Sequence, residues 1–204
     1  MTTLITDPHL EESLKAQRRA WGGDRYDEVW DGVYIMSPLP NVQHQELVSG
    51  LVGALREVLR PPVGGNVYPG INLSDRVDDW EHNYRCPDVA VFLPGNLAGE
   101  FEAHYCGPAD FLVEIVSPRD NSREKIPFYS LLGVRELLVI DRYPWSLELY
   151  RYNGSDLVLA AQSRLEKREV VASTVLPLSF QLLPAQPRPQ IRITEIGGQR
   201  EWSV

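Results

Sequence analysis

Two apolar segments constrain this chain most. They run from Asp110 to Val116 and from Val134 to Asp141, and a short helical pattern, Ser122 to Leu132, lies between them. A strand that is apolar on both faces belongs in the middle of a covered sheet. Strand, helix and strand with short joints form a right-handed crossover between parallel strands. The expected class is therefore α/β, with a central mixed sheet flanked by helices.

The rest of the chain fits around that unit. Residues from Leu10 to Ala20 suggest a polar helix. Asp31-Gly32 between two alternating runs signals a tight hairpin. Leu47, Val48, Leu51, Val52, Leu55, Val58 and Leu59 recur at helical spacing, so one long helix is expected from Gln43 to Arg60, ended by Pro61-Pro62. Val63 to Leu73 reads as one strand, Asp75 to Tyr84 as a loop, Asp88 to Leu93 as a strand, and the stretch to Gly107 as loop or short helix. For the second helix Ser122 is the expected cap and Gly133 the stop. Ser146 to Tyr152 and Leu157 to Ala161 flank Asn153-Gly154 as a hairpin. Further β structure is expected from Val170 to Leu183 and from Ile191 to Ile196. The length suits one domain: an N-terminal helix and hairpin over 8–40, a core over 43–152 and a C-terminal β extension over 153–204.

Composition excludes several classes. The 204 residues carry a net charge of −8, which argues against coating nucleic acid through bulk electrostatics. It does not exclude an enzyme that meets phosphates locally through Arg119, Arg123 and Lys125. No apolar run reaches transmembrane length. The first residues lack a basic region followed by an apolar core, so a cytoplasmic protein is expected. Cys86 and Cys106 fit neither a zinc motif nor a disulfide framework. His9, His82 and His104 lack ligand spacing and read as surface residues. Trp30, Trp80 and Trp145 read as core or turn anchors.

Two of the apolar strands carry an acid each, Asp88 and Glu114. An unpaired buried carboxylate is costly to desolvate, and two on neighbouring strands repel unless a cation joins them. A hard divalent ion suits such a pair, because Mg²⁺ takes one or two carboxylates plus water and substrate phosphate. The competing reading is a structural ion-pair network of Glu114 with Lys125 or Arg123.

Pro87-Asp88 before a strand, Glu114 within the next, and Glu114-Ile115-Val116-Ser117-Pro118 followed by Arg123-Glu124-Lys125-Ile126-Pro127-Phe128-Tyr129 resemble the Uma-type family of the PD-(D/E)XK nuclease superfamily. The run Gly133 to Asp141 continues the likeness. Asp31-Gly32, Met36-Ser37-Pro38 and His44-Gln45 extend it upstream, so it covers roughly Tyr26 to Tyr152. In one respect the chain departs from the superfamily pattern. The lysine is expected two residues after the acid, where Val116 stands, and Lys125 from the following helix takes its place, with Arg123 as rival. The resemblance implies a restriction-endonuclease-like core. It implies Mg²⁺- or Mn²⁺-dependent hydrolysis of phosphodiesters, with DNA as substrate and a homodimer as the working form. Asp88 and Glu114 would bind metal with the backbone carbonyl of Ile115. Lys125 would stabilise charge, and His44, Glu46, Arg119 and Arg123 would contact phosphate or assist. A nuclease-like fold retained as an inactive binding module is the alternative.

Overall fold

The computed structural model describes residues 8–61, 63–117 and 121–204. Among the described residues there are three α-helices, α1 (Pro8–Ala20), α2 (Val42–Val58) and α3 (Ile126–Leu132), and three sheets. The central sheet has six strands. In spatial order they are Leu157–Arg164, Trp145–Tyr152, Glu136–Arg142, Phe111–Val116, Val89–Phe92 and Asn66–Pro69. Phe111–Val116 runs parallel to Glu136–Arg142 and antiparallel to Val89–Phe92. The crossover and the adjacency of the two acid-bearing strands are therefore as expected.

Strand alternation sorts the core into two layers. Phe111, Val113 and Ile115 face α2 and the C-terminal sheet, in a cluster with Leu47, Leu51, Leu55, Phe180 and Ile193. Leu112 faces the other way, with Ala90 and Val139 against Phe128 and Tyr129 of α3. Glu114 shares the register of Leu112, which turns it toward α3. In α2 the residues Leu47, Leu51 and Leu55 are fully buried, the i, i+4 stripe its spacing predicted. Asn41 caps this helix by accepting from the His44 N–H at 2.9 Å.

A second six-stranded sheet holds the hairpin Glu28–Trp30 and Val33–Ile35. Asp31 (φ 48°) and Gly32 (φ 83°) both adopt the left-handed region, as a two-residue primed turn requires. The third sheet, Val171–Ala172, Leu178–Leu183, Gln190–Glu195 and Glu201–Ser203, is formed within the C-terminal segment.

Several expectations need correction. Val63 to Leu73 is not one strand: Gly70 (φ 61°) turns the chain between Asn66–Pro69 in the central sheet and Asn72–Ser74 in the second. Asp75 to Tyr84 contains a 3₁₀ turn, Trp80–His82. The stretch to Gly107 is neither loop alone nor helix, since Gly99–Glu100 and His104–Cys106 are short strands of the second sheet. Ser122 begins a 3₁₀ turn, Ser122–Lys125, and the α-helix starts only at Ile126. Pro127, which lacks an N–H, is tolerated in that first turn. His104 is not a surface residue. It is buried, stacked between Trp80 and Phe101 with both ring centroids at 4.7 Å.

Candidate active site

A cleft of about 610 Å³ opens at the end of the Phe111–Val116 strand, and Glu28, His44, Asp88, Glu114, Ile115 and Lys125 all line it. Asp88 sits just before its strand. Its Oδ2 accepts the Ile115 N–H at 2.7 Å, which locks the carboxylate against the neighbouring strand where the ladder between them ends. His44, on the first turn of α2, places Nε2 3.1 Å from Asp88 Oδ1.

Glu114 is 1 % exposed. Lys125 Nζ donates to its Oε1 at 3.0 Å and its Oε2 at 3.2 Å, and the Tyr129 hydroxyl donates to Oε1 at 2.5 Å. Lys125 and Tyr129 stand four residues apart, one turn along a helix face, so both reach the same acid. The ammonium also lies 2.8 Å from Glu28 Oε1. Glu28 is in turn fixed by the Cys86 N–H at 2.8 Å and the Trp30 indole N–H at 2.6 Å.

Electrostatics follow from this packing. Burial pushes the Glu114 carboxyl up to about 8. Lys125 and the Tyr129 hydrogen bond pull against that shift, and Asp88 and Glu28 add to it. Burial works to neutralise Lys125, but the carboxylates of Glu114, Glu28 and Asp88 outweigh it and hold the amine charged. Burial also raises the Tyr129 hydroxyl well above its ordinary value, which keeps it a proton donor.

Three acids and one lysine leave the site short of positive charge by two when all ionise. A divalent cation would close that deficit, and the oxygens of Asp88 and Glu114 are hard donors. Among the described residues no cluster of three His, Cys, Asp or Glu side chains forms a ligand cage. The carboxylates of Asp88 and Glu114 would suit a hard divalent ion such as Mg²⁺ or Mn²⁺.

Of the other expected residues, Lys125 points into the cleft and Arg123 does not. Arg123 pairs with Asp141 at 2.9 Å and with Glu148 and does not line the cleft, which removes it as rival for the lysine's place. Glu46 is also outside: its side chain is mostly exposed and lies 3.7 Å from Arg188. Arg119 falls outside the described residues.

Three residues escaped the sequence reading. Glu28 reaches the site from the second sheet. Tyr129 was readable from its spacing to Lys125. Arg142, 2 % exposed, donates to Gln43 at 3.1 Å, to Ser117 Oγ at 2.6 Å and to the Val116 carbonyl at 3.3 Å. It ties the start of α2, and so His44, to the end of the Glu114 strand. The far wall is pinned likewise, since Arg18 donates to the Ser37 carbonyl at 2.7 Å and to Asp27 at 2.6 Å.

Comparison with known proteins adds a family and a fold. Residues 12–186 match the sequence model of the Uma2 family, described as "putative restriction endonuclease". A crystal structure of a putative nuclease of the DUF820 group from Anabaena variabilis superposes with a TM-score of 0.56 at 17% identity, covering 72% of this chain and 80% of that one. The likeness shows a shared restriction-endonuclease-like fold. No curated protein sequence matches the chain significantly. Among the described residues, no helix is long and apolar enough to cross a membrane.

Proposed function

Since the chain belongs to the Uma2 family of putative restriction endonucleases, we propose that it is a metal-dependent endonuclease that hydrolyses DNA phosphodiesters in the Asp88–Glu114 cleft. One observation carries the reading: two carboxylates from adjacent strands line one cleft, with a buried ammonium held beside them.

A bound Mg²⁺ or Mn²⁺ would supply Lewis acidity toward the phosphate and a water of lowered pKa. The chain's own groups do the rest. The Ile115 N–H fixes Asp88, while Tyr129 and Lys125 fix Glu114, so both acids are preorganised. The Lys125 ammonium is held by Glu114, Glu28 and the Cys86 carbonyl at 3.4 Å, and its charge serves the oxygens of the phosphate as negative charge grows there. Glu28 holds the lysine at the cleft floor from the opposite side. Cutting both strands of a site would take two chains, since each holds one cleft, so a homodimer is part of the proposal.

The test is direct. Purified protein is expected to nick or cut plasmid DNA with Mn²⁺ or Mg²⁺ and to stop on addition of EDTA. Calorimetry is expected to show one divalent ion binding per chain. Absence of both signals would favour the inactive binding module.

A further inference from the structure

A second cavity, of about 540 Å³, lies on the other side of Asp88 and His44, which line both spaces. We propose that it seats the nucleotide next to the scissile phosphate, with the base against α2 and the flanking phosphate between Arg25 and Arg56. The substrate strand is then unpaired at the cut. This deepens the nuclease reading and rests on it.

Charge is the first support. In this acidic chain Arg18, Arg123, Arg135 and Arg151 are tied to carboxylates. Arg25 and Arg56, which line the cavity, have no ion pair among the described residues. Arg56 donates to the Val67 carbonyl at 3.0 Å, and Arg25 lies 5.5 Å from the Tyr26 ring. Guanidinium groups left without acids beside an apolar, aromatic-edged wall suit a phosphate and a base together.

Gly53 is the second support. It sits in the interior of α2, where glycine weakens a helix relative to alanine. Gly50, one turn earlier, has a reason for its size, because a Cβ there would meet Val204 at 2.7 Å. Gly53 has none within the fold: an added Cβ meets nothing within 4 Å. Gly53 is exposed, and with Val52 of the same helix it leaves open space on the side that lines the cavity.

A base enters a side cavity only when it is out of the duplex stack. The favoured substrate is therefore single-stranded or frayed DNA. The full chain is titrated into a short labelled DNA strand and into the same sequence as a blunt duplex, in Ca²⁺ and again in EDTA, read by fluorescence anisotropy. The strand is expected to bind about tenfold or more tightly than the duplex, as unpaired bases avoid the cost of unstacking. Gly53→Phe adds a ring at the cavity wall, where its Cβ meets nothing within 4 Å, and is expected to abolish that preference while melting no lower than the wild type. Arg25→Gln and Arg56→Gln are each expected to weaken strand binding and to reduce the slope of log K against log salt by about 0.7. Unchanged binding by all three variants, duplex bound as tightly as strand, or no binding in either buffer would overturn the assignment. Anisotropy does not depend on cutting. A protein that binds as described yet never cuts ends the nuclease reading and leaves the cavity's role. One that cuts DNA equally well with Gly53→Phe ends the cavity's role alone.

Discussion

Lys125→Ala is expected to destabilise the metal-free protein by about 3–5 kcal/mol, the scale of removing one partner from a buried ion pair. Lys125 is 9 % exposed and is the only side-chain cation that the described ion pairs place on Glu28 or Glu114. Its loss leaves Glu28 with two N–H donors and no charge to offset it, while Glu114, protonated below pH 8, keeps the Tyr129 hydroxyl. Urea unfolding in EDTA measures the effect. Lys125→Met combined with Glu114→Gln removes an opposite pair together and is expected to recover most of the stability. If the Ala variant proves as stable as the wild type, the ammonium is not what neutralises the site. The pH dependence has a definite sign. Glu114 has its folded-state value raised from 4.5 to about 8, so its contribution to stability is complete below 4.5 and is lost as pH climbs to about 8. Lys125 is raised from 10.5, so its contribution persists through that window and fades only at higher pH. Glu114→Gln is expected to flatten the fall between pH 4.5 and 8 and to melt higher than the wild type at the upper end.

The sheet core was legible in the sequence because doubly apolar strands admit few other placements. Val113 and Ile115 on one face and Leu112 on the other left Glu114 as the one residue out of keeping, and that mismatch located the site. Contacts between remote segments were not legible. Glu28 lies in a hairpin that alternates like any other, and only the docking of the second sheet carries it to Lys125. Gly70 did not announce a change of sheet, because a glycine in a strand pattern reads equally as a bulge. The choice between Arg123 and Lys125 depended on which way the turn before α3 faces, and local spacing does not say. At three residues per turn, positions two apart point in widely different directions, so one side chain enters the cleft and the other crosses to Asp141 and Glu148.

Asp88→Asn is expected to reduce Mn²⁺-supported DNA cutting by at least about 10²–10³-fold, the scale of losing one preorganised charged group in a reacting site, with little change in folding. The change keeps an oxygen for the Ile115 N–H but removes the negative charge, and Asp88 is part-exposed at the cleft wall and carries none of the core packing. A Tyr129→Phe variant separates holding a metal ligand from being one. It keeps the ring in the core and deletes the donor to Glu114, so a loss of about 10–100-fold in metal affinity or activity is expected. Metal binding below pH 8 must also expel the proton that burial places on Glu114. Affinity is therefore expected to rise with pH, by up to about tenfold per unit, and to level near pH 8. Calorimetry in buffers of different ionisation enthalpy reads the released proton. Asp88→Asn that cuts as the wild type does, or metal affinity that is flat from pH 6 to 8, would place the reacting ion somewhere other than between Asp88 and Glu114.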